Sequence, residues 1–188
     1  MNTPQNLPAP SDEWHALATD GGLQVRVRPE REGDTPYLIE LFNRLSPDSR
    51  FLRFSKSMAN PDPEQIRQEA ARLAHLMPPA EMAWLAFADL PEQPDAPVGG
   101  VRYVLTAPDS AELAISVRDD LQRRGIGSAL LEFACQQARG QGLHSLTAIF
   151  RSENKAVWSL VRHSPFPVTT VFDGSEVSAH IDLTDRDE

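Results

Sequence analysis

The 188-residue chain carries 18 Lys plus Arg against 27 Asp plus Glu, a net charge of -9, with 40% hydrophobic and 24% charged residues. That length and balance suit one folded domain, leave no room for a second, and lie far from the highly charged, weakly hydrophobic compositions that stay disordered. An acidic chain repels phosphate backbones and anionic bilayers, so neither nucleic acid nor membrane is an expected partner.

Residues 1–22, rich in Pro, Asp and Gly, read as a flexible tail in which Trp14 and Leu17 could dock on the body. The opening MNTPQNLPAPSDEW has neither the basic start nor the apolar stretch of a secretory signal, which leaves a cytoplasmic location as the default. LQVRVRP (23–29) alternates apolar and polar residues and ends at Pro29, the pattern of a half-buried strand. Next, Asp34 precedes TPYLIELFNRLS, where Leu38, Leu41, Phe42 and Leu45 recur at helical spacing; this predicts a helix capped by Asp34 and stopped by Ser46-Pro47. A short helix around SRFLRF and a longer one over PEQIRQEAARLAHL lead to the break at Pro78-Pro79.

MAWLAFADL and VGGVRYVLT are short apolar runs joined by the turn-rich PEQPDAP, which predicts an antiparallel pair. AELAISV (111–117) is a strand, followed by a helix from about 125 to 139, a stop at Gly140 to Gly142 and the strand LHSLTAIF. That crossover is long enough for parallel pairing. A last helix, NKAVWSLVRH, ends before Pro165, and a hairpin turning at Asp173-Gly174 closes the chain. The fold class is therefore mixed α/β, with a largely antiparallel sheet and one parallel junction. The single cysteine, Cys135, lies in the apolar-periodic SALLEFACQQA and reads as a small buried hydrophobe; no Cys or His stands at metal-ligand spacing from it, and no metal is expected.

Chemistry concentrates in Gln122-Arg123-Arg124-Gly125-Ile126-Gly127-Ser128, between a predicted strand and a predicted helix. Glycines at 125 and 127 leave the first-turn N–H groups uncovered where the helix dipole is positive, so the segment is either a cradle for a phosphate or a tight turn into a helix. It lacks the Gly-Lys-Ser/Thr ending of a nucleotide P-loop and the third glycine of a dinucleotide fingerprint. Residues 118–163 hold seven basic and four acidic side chains, a local +3, while the rest of the chain sums to -12. Positive charge gathered around the loop suggests a small polyphosphate ligand; solvated helix faces are the plainer alternative.

The run from AELAISVRDDLQRRGIGSALLEFACQQA to NKAVWSLVRHSPF resembles the acyl-CoA-binding half of the GNAT superfamily of N-acetyltransferases, and RVRPEREGD with LFNRLSPDSRFLRFS resembles the opening of its protein-lysine acetyltransferase branch. The resemblance implies a three-layer domain over residues 23–184, with a twisted, mostly antiparallel mixed sheet of about seven strands flanked by about four helices. It further implies acetyl-CoA as cosubstrate. Gln122 would open the loop and the backbone amides of Arg123, Arg124, Gly125, Ile126, Gly127 and Ser128 would bind its diphosphate. Ile115, Ser116 and Val117 would pair with the pantetheine arm, the Val117 amide would face the thioester carbonyl, and Asn154 would contact the arm near the thiol.

A lysine-type amine, with a pKa of ~10.4, is protonated at pH 7 and needs a base. Glu112 stands where that branch places its catalytic glutamate; a solvent-facing strand residue is the alternative. Val161 occupies the position at which many members carry a tyrosine acid, and Pro165-Phe166 replaces the usual Gly-Phe. Tyr103 or Ser116 is left as a donor to the leaving thiolate. In this superfamily the acceptor is read by the first helices and the closing hairpin, here around Arg44 to Arg53, the Pro78-Pro79 loop and 167–181. Arg50 and Arg53 are candidates there, or structural partners of Asp34 or Asp48. The expected activity is transfer of an acetyl group to a primary amine, of a protein lysine or a small molecule. A noncatalytic acyl-CoA-binding module is the rival reading, and a homodimer is an open option.

Overall fold

A computed structural model of the chain describes residues 13–54 and 61–184. Eight strands run in chain order as β1 His15–Leu17, β2 Val25–Pro29, β3 Glu81–Leu90, β4 Gln93–Ala107, β5 Ser110–Val117, β6 Ser145–Arg151, β7 Val168–Asp173 and β8 Glu176–Asp182. The helices are α1 Thr35–Asn43, α2 Pro47–Phe54, α3 Pro63–Ala74, α4 Ile126–Gly140 and α5 Lys155–Arg162. The strands form one sheet in the order β1-β2-β3-β4-β5-β6-β8-β7. Among the described residues, β5 with β6 is the parallel pairing and every other neighbour is antiparallel.

Alternation along the strands gives the sheet two unlike faces. One presents Val25, Val27, Trp84, Tyr103 and Leu113 to α4, which answers with Leu130, Phe133, Ala134 and Ala138; Trp84 meets the Phe133 ring edge-on at 5.6 Å. Further along the same face, α5 lays Val157, Trp158 and Val161 on Phe150, Val177 and Ala179. The opposite face is covered by α1 through Leu38 and Leu41 on Leu85 and Phe87, and by α2 and α3. The three-layer arrangement is as expected. No helix among the described residues is long and apolar enough to cross a membrane.

Three local features depart from the sequence reading. The body starts before residue 23: His15–Leu17 pairs with Val25–Val27 as an eighth strand, because Trp14 packs edge-on against Phe87 at 5.5 Å and beneath the Arg26 and Arg28 guanidinium groups. The β3–β4 hairpin turns at Pro91-Glu92, and PEQPDAP is not a loop but mostly strand; register shifts beside Phe87 and Leu90 let Pro94 and Pro97 sit in an extended segment. Asp34 stands at the start of α1 but does not cap it. Its carboxylate takes two hydrogen bonds from Arg28, at 2.6 and 2.8 Å, and one from the Arg31 N–H.

The Arg28–Asp34 pair is almost wholly buried and raises the Arg28 pKa through that hydrogen bond. Removing one partner of such a pair strands the other charge in a low dielectric. Asp34→Ala should therefore lower the unfolding free energy by about 3 to 5 kcal/mol. Urea titration checks this, and a loss below about 1 kcal/mol would mean that water reaches Arg28.

Candidate active site

The loop between β5 and α4 adopts the shape its glycines permit. Gly125 is left-handed at φ +81°, Arg123 also has positive φ at +61°, and no side chain caps α4. The first α4 amide bonded back within the helix is that of Ala129, to the Gly125 carbonyl at 3.0 Å. Ile126, Gly127 and Ser128 therefore offer first-turn N–H donors at the positive end of a 15-residue helix. This donor set fits a diphosphate.

The loop is stapled from several sides. Gln122 donates through Nε2 to Asp119 Oδ1 at 3.0 Å and to the Val117 carbonyl at 3.4 Å. Asp119 Oδ2 accepts from the Ser46 N–H and the Ser49 hydroxyl, each at 3.0 Å, tying the loop to the start of α2. Buried Arg118 grips Asp120 with two bonds, at 3.0 and 2.8 Å, and holds that carboxyl below its usual range. The turn at Thr19 to Gly22 leans on the loop from outside: a Cβ on Gly125 would lie 2.7 Å from the Asp20 nitrogen, and one on Gly21 would lie 3.1 Å from Arg124. The sequence reading missed Arg118, Asp119, Asp120 and this turn as loop supports; the Arg-Asp-Asp run beside the loop was the available signal.

β5 and β6 share only three residue pairs, Ser110 with Ser145, Ala111 with Leu146 and Glu112 with Thr147. Beyond Glu112 they part, although β5 continues to Val117 and β6 to Arg151. The Arg118 N–H donates to Val98 on the β4 side at 3.1 Å. By strand alternation the Ile115 and Val117 amides then face away from β4, into the gap. A free strand edge of this kind can pair with an amide-bearing chain. The gap is flanked on one side by α4 and α5, where Gly127 approaches Leu160, and on the other by α2. α2 reaches both strands, with Arg53 Nε donating to Ser116 Oγ at 3.2 Å and Phe51 lying under the Arg151 guanidinium.

Glu112 stands at the fork, exposed, on the same face as Ala114 and Ser116. Asn154 is buried at the start of α5; its Oδ1 accepts from the Val157 N–H at 3.2 Å, which leaves its amide nitrogen for a ligand. Tyr103 pairs with Leu113, next to the fork, but its side chain lies on the α4 face of the sheet, opposite Glu112. It is buried against Trp84, its hydroxyl donates to Gln141 at 2.7 Å beyond the far end of α4, and burial pushes its pKa up, so it is no acid for a leaving thiolate. Cys135 is fully buried, with its thiol pushed up to about 12 by that burial, and is unreactive. Arg50 and Arg53 do not bind Asp34: Arg50 lies over the Phe42 ring and bonds its carbonyl at 3.2 Å.

Beneath α1, α2 and α3 the sheet borders a half-open cavity of about 830 Å³. Most of its wall is apolar, with Leu38, Phe42 and Ile66 among the residues, and Glu30, Arg53 and Arg102 supply charge. Arg102 bonds Glu30 at 3.0 Å, Glu81 at 3.2 Å and the Leu73 carbonyl at 2.6 Å. Burial pushes the Glu30 carboxyl up to about 7, against the pull of Arg102.

An uncapped, glycine-lined helix start beside two parting parallel strands is the architecture of an acyl-CoA-dependent transferase. Residues 38–164 match the acetyltransferase (GNAT) family, and the chain belongs to it. It is 28% identical to the acetyltransferase PA5475 of Pseudomonas aeruginosa over 152 residues, 79% of this chain and 77% of that protein. Its fold is similar to that of the GNAT domain of S. lividans PAT, with a TM-score of 0.78 at 22% identity over 93% of this chain and 99% of that one. It is also similar to that of RimL, the ribosomal L7/L12 α-N-protein acetyltransferase, in complex with coenzyme A, with a TM-score of 0.69 at 15% identity over 91% and 100%. The chain is an acetyltransferase, and acetyl-CoA is the family's acyl donor.

Two expectations follow. Gly125→Ala places a side chain on a left-handed residue, at about 1 to 2 kcal/mol, and drives it into Asp20. Calorimetry should show weaker coenzyme A binding together with a lower Tm; an unchanged Kd would show that the loop tolerates the shift. For Glu30, the folded chain keeps a proton that the unfolded chain has already released. Its contribution to stability therefore falls as pH rises from the ordinary 4.5 to about 7 and is level above that. Glu30→Gln should flatten this part of the stability–pH curve, and identical slopes for variant and parent in urea titrations would refute it.

Proposed function

We propose that the protein transfers the acetyl group of acetyl-CoA to a primary amine by direct attack, with Glu112 as general base. The observation that carries this reading is the parting of β5 from β6 at Glu112, which sets a free strand edge, a carboxylate and an uncapped helix start around one gap. The amides of Ile126, Gly127 and Ser128, with the backbone of Arg123 to Gly125, hold the diphosphate. Ile115 and Val117 pair with the pantetheine arm, and the Val117 N–H stabilises the negative charge that develops on the carbonyl oxygen. Glu112 takes the amine proton, through a water that its exposed position can admit. Asn154 positions the arm near the sulfur.

No tyrosine stands at 161, and none is needed. A coenzyme A thiol resembles cysteine, whose pKa of ~8.5 makes the thiolate a tolerable leaving group. Of the two donors considered, Ser116 remains, four residues beyond Glu112 on the same strand face, with its oxygen accepting from Arg53. A protein lysine is the acceptor that the resemblance to the lysine acetyltransferase branch implies. A small amine is the second reading, favoured by the half-open, mostly apolar cavity on the Glu112 side of the sheet.

Glu112→Gln should leave acetyl-CoA affinity intact and lower the rate of aminolysis on the order of 10²- to 10⁴-fold at neutral pH. Thiol release from acetyl-CoA, measured with amines, lysine peptides and whole proteins, is the assay. Undiminished turnover in the variant would remove Glu112 from the chemistry, and binding without any turnover would leave a coenzyme-binding module.

A further inference from the structure

Of the two arginines among the described residues that line the acceptor-side cavity, Arg102 is paired with carboxylates and Arg53 is not. Arg102 answers Glu30 and Glu81, Glu69 bonds Arg72 at 2.7 Å, and Asp62 accepts from the Glu64 N–H at the start of α3. Arg53 has no carboxylate partner among the described residues. Its Nε is spent on Ser116 at 3.2 Å and the Phe54 ring lies 5.0 Å from its guanidinium carbon, which leaves both terminal nitrogens without a protein acceptor. No fully buried side-chain nitrogen or oxygen lacks a partner, so those terminal nitrogens border open space, and Arg53 lines the cavity. Burial and then the Arg102 charge push its pKa down while Glu112 pushes it up; an arginine nonetheless stays a cation at neutral pH.

An arginine held by one nitrogen, with its outer edge free, presents the planar fork that matches a carboxylate. We propose that Arg53 receives a carboxylate on the acceptor, and that the acceptor is a small amine of the α-amino-acid class with an apolar side chain. The inference rests on the acetyl-transfer reading and names its substrate class. Ser116 fixes the arginine on the strand whose edge carries the thioester, so a carboxylate bound there sets a neighbouring amine at the fork. The apolar wall formed by residues such as Leu38, Phe42 and Ile66 takes the side chain. In the transfer, the amine nitrogen bonds the acetyl carbon as the carbon–sulfur bond breaks; Glu112 takes the amine proton, and N-acetyl amino acid and the free thiol of coenzyme A depart.

The test compares L-leucine, L-methionine and L-phenylalanine, each with its carboxamide, which keeps the amine and side chain but not the negative charge. Thiol release gives kcat/KM, and calorimetry on the protein saturated with coenzyme A gives binding whether or not turnover occurs. At least one acid should exceed its amide by about tenfold or more in either readout. Arg53→Gln should erase that ratio and Arg53→Lys retain part of it, with acetyl-CoA affinity unchanged. Equal use of acid and amide overturns the proposal, as does an equal loss for both in Arg53→Gln, or activity confined to lysine peptides. Loss of acetyl-CoA binding or of all turnover in the parent protein is instead the failure of the acetyl-transfer reading, and the calorimetric comparison of acid with amide still decides Arg53.

Discussion

Adjacent parallel strands normally stay hydrogen-bonded along their shared length, because an unpaired backbone edge inside a sheet costs the bonds it fails to make. Here β5 and β6 separate after three residue pairs, and much of the molecule is arranged around that separation. β4 holds the outer edge of β5 through Val117, β8 holds the outer edge of β6 through Arg151, and α2 contacts both strands. With each strand fixed from outside, the inner edges remain apart and can accept a third, non-protein strand. The loop above the gap is then fastened to α2 by Asp119 and to the N-terminal turn by backbone contact, so that the anion-binding amides and the open edge keep one fixed relation.

The two faces of the sheet divide the labour. The face under α4 is packed with aromatic and aliphatic groups, which makes it a rigid support for the start of that helix. The face under α1 to α3 carries Arg28, Glu30, Glu81, Arg102 and Glu112, and borders the acceptor-side cavity. Buried ions there are expensive unless paired. Their pairing, Arg28 with Asp34 and Arg102 with Glu30 and Glu81, shows how the chain keeps charge beside the site without losing the fold.

Much of this was legible in the residues. Gly125 marks a left-handed position that few other residues tolerate, so the loop announces itself, and the periodicities of α1, α3, α4 and β5 place those elements to within a few residues. The parting of β5 from β6 was not legible by itself, because nothing in AELAISV marks where hydrogen bonding stops; only the resemblance pointed there. Contacts between distant segments were hidden in the same way. Arg53 meets Ser116 across 63 positions, and Asp20 meets Gly125 across a longer span. Prolines misled: Pro94 and Pro97 suggested a loop, whereas register shifts absorb them within a strand. Asp34 had the right position for a cap, but the stronger, charged donor Arg28 claimed its carboxylate.

The strand order carries a consequence for biosynthesis. β8 lies between β6 and β7, so β7 emerges from the ribosome before the neighbour it will bond to exists. Until β8 has cleared the exit tunnel, β6 also lacks its antiparallel partner, and α5 has only part of the surface it covers. The nascent chain must therefore hold the coenzyme half of the domain unfinished, with apolar groups such as Phe150 and Trp158 uncovered, and complete it in a single late step.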